Sequence, residues 1–276
     1  MSETAHVAAV QLNSRLGEPD TNLDKAESLL AGLEGEVDIA CLPELANTGY
    51  NLDFLGGRLL DLAEPVPDGK TTRRLADMAR RFKLAIIAGL VERDPEVTGV
   101  IYDSVVLLDR KGEYVGCYRK SHLYPDEYRF FTPGNSIPVF CLGGLKVGIA
   151  ICFEHAFPQV FSTLALRGAQ IVFNPSAVPV GFGYLQDLRT RARAQDNQFF
   201  VMAVNHVGQE DGVTYCGQSQ IADPRGQVIA LAEQDCEQTV VSRLDLSLIR
   251  DQRVQEPILR SFRPELYQFK PGSAPY

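Results

Sequence analysis

The sequence predicts an α/β protein in which helices cover a mixed β-sheet, or two sheets packed face to face. Two observations carry that expectation. Short apolar, β-branched runs alternate with stretches of helical periodicity, the pattern of crossover units. Two turn signals between strand-like runs, Asp109-Arg110-Lys111-Gly112 and Asp223-Pro224-Arg225-Gly226, add antiparallel hairpins to those crossovers.

Taken in order, strands are expected at residues 6–12, 37–42, 84–92, 104–108, 146–152, 170–174 and 199–207, and a further strand-like run covers 114–118. Leu23, Ala26, Leu29, Leu30 and Leu33 recur at helical spacing, with Asn22 or Asp20 as the expected N-cap. Leu75, Met78, Ala79 and Phe82 do the same, with Thr71 as the cap. A third helix is expected from Pro158 through Val160, Leu164 and Leu166 to Gly168. No linker, repeat or low-complexity stretch precedes the C-terminal tail, so residues 1–276 are expected to form one domain. Residues from about 255 to 276 read as a tail and a candidate subunit contact.

With 276 residues the chain is long enough for a deep core, since a domain of this size hides roughly three quarters of the surface its unfolded form exposes. Hydrophobic residues at 45% and charged residues at 22% are ordinary for a soluble globular protein. The formal charge of −8, the pI near 5.1 and the lack of any Lys/Arg run argue against nucleic acid and anionic membranes as partners. The opening MSETAHVAAVQLNS has neither the basic start nor the apolar core of a secretion signal. No apolar run approaches the ~20 residues of a membrane helix. Six scattered cysteines without a CxxC pair suit reduced thiols in a cytoplasm. None of the four histidines has metal-ligand spacing, so no metal is expected.

Three motifs carry chemistry. Cys41-Leu42-Pro43-Glu44-Leu45 follows an apolar run, which puts a carboxylate at a strand's carboxyl end. Partial desolvation there raises a carboxyl toward the range of a general base; the plainer alternative is a solvated loop glutamate. Lys120, in Tyr118-Arg119-Lys120-Ser121-His122-Leu123, also follows a strand-like run and can stabilise an oxyanion; a surface lysine is the plainer alternative. Gly148-Ile149-Ala150-Ile151-Cys152-Phe153-Glu154 runs a buried strand into a cysteine, with Pro158 opening the next helix. That strand-to-helix elbow presents a nucleophile, which needs a base or cation nearby to become a thiolate. Cys41, Cys117, Cys141 and Cys216 fit the role of small buried hydrophobes.

In this order and setting, Pro43-Glu44, Arg119-Lys120 and Gly148 through Cys152 resemble the Glu-Lys-Cys triad of the nitrilase superfamily of carbon–nitrogen hydrolases. The resemblance extends along nearly the whole chain. It includes Val7 through Leu12, Glu127 through Phe131 with Pro133-Gly134, Arg191 through Asn197, Val204-Asn205, and Phe262 through Tyr267.

The resemblance implies a four-layer αββα sandwich, a homodimer or higher homo-oligomer, a small-molecule amide substrate, and no cofactor. It implies that Glu44, Lys120, Cys152 and Glu127 are catalytic, with Glu127 orienting Lys120. Phe153, Tyr50, His122, Tyr124, Glu154 and Ala177 are the expected oxyanion and substrate contacts.

Tyr50, Tyr124, Phe130, Phe153, Val178 and Phe182 are expected to form an aromatic, largely uncharged pocket that favours a neutral or amine-bearing amide. Arg189, Arg191 and Arg193, spaced by two, cannot all share one helix face and suit the surface or a subunit interface. The family's nitrile-cleaving members usually have Trp after the nucleophile, where this chain has Phe153. Its N-carbamoyl-D-amino acid hydrolases carry an arginine pair just beyond, where this chain has Glu154-His155-Ala156-Phe157. The expected reaction is hydrolysis of a small carboxamide to acid and ammonia through a cysteine thioester. Hydrolysis of a ureido compound to amine, carbon dioxide and ammonia is the alternative. A nitrilase and a non-catalytic binding protein on the same scaffold rank below both.

Overall fold

Alternation along the first strand decides the architecture. In β1 (Thr4–Gln11), Val7 and Ala9 face one way, Ala8 and Val10 the other, and all four are fully buried. A strand apolar on both faces needs cover on both. The computed structural model, which describes residues 4–267, supplies that cover with a second sheet on one side and helices on the other.

The first sheet has the order β14-β1-β2-β3-β4-β5. Its other strands are β2 (Ile39–Cys41), β3 (Ala85–Arg93), β4 (Ile101–Leu108), β5 (Tyr114–Arg119) and β14 (Gln238–Asp245). β1, β2 and β3 run parallel, while β4, β5 and β14 pair antiparallel with their neighbours. The second sheet has the order β13-β12-β9-β8-β7-β6. It contains β6 (Val139–Leu142), β7 (Leu145–Ile149), β8 (Ile171–Ser176), β9 (Phe200–Asn205), β12 (Gln220–Ala222) and β13 (Val228–Leu231). There β7, β8 and β9 are parallel and the outer strands antiparallel. A separate ribbon pairs β10 (Val207–Glu210) with β11 (Val213–Cys216).

The sheets meet through one apolar layer, in which Val7, Ile39, Ile87 and Val105 pack with Val147, Phe173, Met202 and Ile221. Helices α1 (Pro19–Ala31) and α4 (Lys70–Phe82) cover the outer face of the first sheet. Between them lie the short α2 (Leu52–Leu55) and α3 (Arg58–Leu62). Helices α5 (Pro158–Leu166) and α6 (Gly183–Asn197) cover the second sheet, with Val160, Phe161, Leu164 and Ala194 against Val172 and Val201. The expected αββα layering is what forms. The chain then runs through α7 (Ser247–Gln255) and α8 (Ile258–Ser261); residues 268–276 of the expected tail lie outside the described residues.

Several local expectations need correction. Neither Asp20 nor Asn22 caps α1, because Pro19 already occupies its first position. Asn22 is instead buried, bonding Arg15 and the Asn47 carbonyl. Thr71 lies inside α4, and Glu64 caps that helix from outside by accepting the Thr71 N–H at 2.7 Å. The run expected as one strand over 199–207 breaks at His206, whose ring turns toward the Glu44 carbonyl. Cys141 is exposed, because β6 is the sheet's outer strand. Both expected hairpins form, joining β4 to β5 and β12 to β13.

One close approach prepares the site. A Cβ added at Gly89 would stand 2.5 Å from both the Leu45 nitrogen and the Pro43 oxygen, so β3 lets the turn carrying Glu44 lie directly on its backbone. Gly89→Ala is expected to cost about 1–3 kcal/mol by overpacking and to displace that turn. A lower denaturation midpoint together with a fall in kcat checks this; unchanged stability would show that the contact is soft.

Candidate active site

The candidate residues come from the carboxyl ends of strands, where α/β sheets place ligand crevices. β5 reverses direction twice relative to β3, so it ends at the same edge as β2. Glu44 therefore follows β2 and Lys120 follows β5 on one side of the sheet. The Lys120 N–H donates to the Asp103 carbonyl at 2.9 Å, and Gly134 donates to the Lys120 carbonyl at 2.8 Å. Leu45 takes a left-handed φ of 45° just after Glu44, and His206 donates from Nε2 to the Glu44 carbonyl at 2.6 Å.

Lys120 Nζ donates to Glu44 Oε1 and Glu127 Oε1, each at 2.6 Å, and lies 3.4 Å from Asp103 Oδ2. All four side chains are fully buried. Glu127 sits on the 3-10 turn Pro125–Arg129; it also accepts from the Tyr50 hydroxyl at 2.5 Å and the Tyr124 N–H at 2.8 Å. The three carboxyls approach one another closely enough to hold a cation, but the Lys120 ammonium fills that place.

Cys152 opens the 3-10 turn Cys152–Ala156 after β7, with φ +42°. A left-handed non-glycine residue stores of order 1 kcal/mol or more of strain. Asn174 on β8 braces the elbow, donating from Nδ2 to the Ala150 carbonyl at 2.6 Å and the Cys152 carbonyl at 3.4 Å.

The electrostatics follow from burial and charge. Burial works against the Lys120 ammonium, yet Glu44, Glu127 and Asp103 outweigh it and hold its pKa well above the ordinary value. Burial pushes the Cys152 thiol well up, Glu44 adds to that, and Lys120 and the Ala177 N–H oppose it. At neutral pH the resting sulfur is a thiol held next to a fixed cation. Burial also raises Glu127, with Lys120 opposing and Glu44 assisting.

A cavity of about 500 Å³ opens onto Cys152. Tyr50, Tyr124, Phe130, Phe153, Val178 and Phe182 all line it, as does Ala177. Two expected contacts stand elsewhere. Glu154 is fully buried away from the cavity lining and braces the elbow, taking the Tyr118 hydroxyl at 2.7 Å and the Ile151 N–H at 2.6 Å. Burial would raise this carboxyl, but donors from His122, Ser121, Tyr118 and Ile151 keep it below the usual value. His122 is also absent from the lining and stacks on Phe157 at 4.2 Å.

Sequence reasoning missed Asp103, His155 and Arg189. The strand expected to start at residue 104 begins at Ile101, which puts Asp103 inside it; an acid within a buried strand was the available signal. Arg189 and Arg193 are four apart on α6, so they do share a face. Arg189 Nη1 lies 2.9 Å from His155 Nε2 and lines the cavity, while Arg193 Nε donates to the His155 carbonyl at 3.2 Å. Burial, with both arginines behind it, lowers the His155 pKa to about 3, so the ring is neutral. Arg191 faces away and bonds the Gly226 carbonyl. Arg189 thus stands at the cavity wall, and the pocket is not wholly uncharged.

Comparison with known proteins gives the family and the fold. A protein named as a nitrilase from Pyrococcus abyssi is 36% identical over 266 residues, covering 95% of this chain and 98% of its own. An (R)-stereoselective amidase from Pseudomonas sp. is 32% identical, covering 90% and 91% respectively. A crystallised variant of the amidase from Nesterenkonia sp. AN1 carries the acetamide moiety of fluoroacetamide on its active-site cysteine. It superposes with a TM-score of 0.83 at 26% identity, covering 95% of each chain. The carbon-nitrogen hydrolase family model matches residues 6–254, and the chain belongs to that family, within the nitrilase superfamily.

Proposed function

We propose that this chain hydrolyses a small carboxamide to carboxylic acid and ammonia through a thioester on Cys152. The observation that carries the reading is a cavity-lining thiol on a strained elbow, beside a buried base-and-cation cluster. Nucleophile, base and oxyanion donor are then all within one constellation.

In this reading Glu44 takes the proton from the Cys152 thiol as the sulfur attacks the amide carbon. The carbonyl π electrons move to oxygen, where the Lys120 ammonium and the Phe153 backbone N–H receive the developing charge. Collapse of the tetrahedral intermediate breaks the C–N bond, and the nitrogen leaves as ammonia with the proton Glu44 returns. Glu44 then removes a proton from water as it attacks the thioester, and the sulfur departs with that proton. Glu127 holds Lys120 in place through its own 2.6 Å hydrogen bond to the ammonium.

The raised thiol pKa fits such concerted use of Glu44. A resting thiolate would need no base, whereas a thiol kept protonated by burial and by Glu44's own charge requires one at the moment of attack. The predominantly apolar cavity wall suits an aliphatic or aromatic acyl group. The amidase of 26% identity whose active-site cysteine carries a covalent acetamide group supports a nucleophilic cysteine by likeness.

Cys152→Ala is expected to lower turnover by at least ~10⁴-fold, the scale seen when a nucleophile is removed, while thermal unfolding stays cooperative. Turnover that survives the change would end the mechanism. Glu44→Gln should slow acylation and deacylation by ~10²–10⁴-fold, the usual weight of general acid–base catalysis. Single-turnover kinetics with mass spectrometry of Cys152 reads both steps, and normal deacylation would assign the base elsewhere. In a panel of matched amides, ureides and nitriles, amides should release ammonia fastest. Carbon dioxide from the ureide at a comparable rate would move the assignment to N-carbamoyl substrates.

A further inference from the structure

Asp103 occupies the third position of β4 and is fully buried. The mechanism above gives it no task, yet it stands 3.4 Å from the ammonium that the mechanism depends on. Its own neighbour on β3, Val91, is apolar, so the ionisable groups facing it are Lys120, Glu44 and Glu127.

The charge count makes this residue a problem. Three ionised carboxylates around one ammonium leave a net charge of −2 in a region without solvent contact. Buried charge is tolerated when paired, and one ammonium cannot pair three carboxylates. At least one carboxyl must keep its proton, and the hydrogen bonds say which.

Glu127 accepts three donors, from Lys120, Tyr50 and the Tyr124 N–H, so its environment is built for an anion. Glu44 takes Lys120 on Oε1, while its Oε2 has no donor. Asp103 has no hydrogen-bond donor on either oxygen. Oxygens of these three carboxyls lie within 4.8 Å of one another. A carboxyl without donors next to a carboxylate with a free acceptor is the arrangement of an acid that supplies the missing proton itself.

We propose that Asp103 is a positioning residue: a neutral carboxylic acid that donates a hydrogen bond to Glu44 and holds that base in place. Burial and the charge of Glu44 both favour its protonated form, against the opposing pull of Lys120. A carboxylic acid kept neutral at pH 7 so that it can donate is an established device of buried sites. Asp103 takes no proton from the substrate and transfers none to it. Glu44 is left with one cationic and one neutral donor, and the cluster with a net charge of −1.

The pH dependence follows with a definite sign. The working form is protonated Asp103, so its contribution is complete below its raised pKa and is lost as pH rises through it. Ionisation replaces a donated hydrogen bond with a second carboxylate facing Glu44, and turnover falls on the alkaline side. The proposal rests on Glu44 acting as the base of the hydrolysis.

Three measurements test it. Asp103→Ala removes the donor and should lower kcat by ~10–100-fold, the worth of a hydrogen bond to a charged group, with little change in KM. Asp103→Asn restores an N–H donor that cannot ionise, so it should recover most of that loss and remove the alkaline limb of the pH–kcat profile. An Asn variant no better than the Ala variant, or one with the limb unchanged, overturns the proposal. Infrared spectra of the unsubstituted protein at neutral pH keep the question open to refutation if either variant misfolds. The carbonyl stretch of a protonated carboxylic acid should be present and should shift when aspartate, not glutamate, is labelled with carbon-13. No such band, or one that shifts only with labelled glutamate, refutes it. These spectra need no substrate, so a failure of the hydrolysis reading in Cys152→Ala remains distinguishable from a failure here.

Discussion

Lys120 has no solvent contact, and its ammonium reaches three carboxyl groups from three different segments. Removing one partner of a buried ion pair typically costs about 3–5 kcal/mol, because the other charge stays behind unpaired. Here the remainder would be larger than a single charge, since Lys120 alone separates Glu44, Asp103 and Glu127. The cluster therefore ties the end of β2, the interior of β4, the end of β5 and the 3-10 turn after it into one unit. The parallel and antiparallel pairings of the first sheet bring those segments to a common edge.

Around that cluster the backbone carries strain that its surroundings enforce. Leu45 and Cys152 both take left-handed φ values, 45° and 42°, each directly beside or at a candidate catalytic position. Such conformations persist when neighbouring contacts over-determine them. For Leu45 those contacts are the bare Gly89 backbone beneath and the His206 ring on the Glu44 carbonyl. For Cys152 they are Asn174, which holds two carbonyls of the elbow, and Glu154, which takes the Ile151 N–H from below. One strand end in each sheet is thus shaped by residues whose side chains never reach the cavity.

The layered fold was legible because its strands are apolar on both faces, and continuous burial writes a continuous apolar run. Glu44 and Cys152 were legible for a related reason, since each follows such a run, and Lys120 because it follows the strand-like residues of β5. Asp103 was hidden because the strand was read as starting at residue 104, three residues after its start at Ile101, which left a buried acid outside it. Arg189 was hidden by treating three arginines together, when helical geometry divides them into a pair and an outlier. Glu154 was misread in the opposite direction. A carboxylate two residues from a nucleophile invites a substrate role, but the N–H groups of Ile151 at the elbow and of Ser121 and His122 after β5 recruit it inward. Short outer strands such as β13 alternate half-buried and exposed positions over only four residues, too few to rise above chance in one sequence.

The opposed charge states of Cys152 and Lys120, both of which keep their proton, explain how this centre can stay quiet until substrate arrives. Lys120 is fully buried and Cys152 half-buried at the cavity wall, and removal from water favours the neutral form of each. The surrounding carboxylates then act in opposite senses: they stabilise the charged form of lysine and destabilise the charged form of cysteine. The result is a permanent cation beside a protonated thiol. In the proposed reaction negative charge on sulfur need only exist while it passes to the substrate oxygen, where Lys120 and the Phe153 N–H await it. A neutral Asp103 strengthens that design, because a third full negative charge would raise the cost of every anionic stage. The acid cluster thus sets an upper limit on its own charge, and the proton that enforces that limit also holds the base in position.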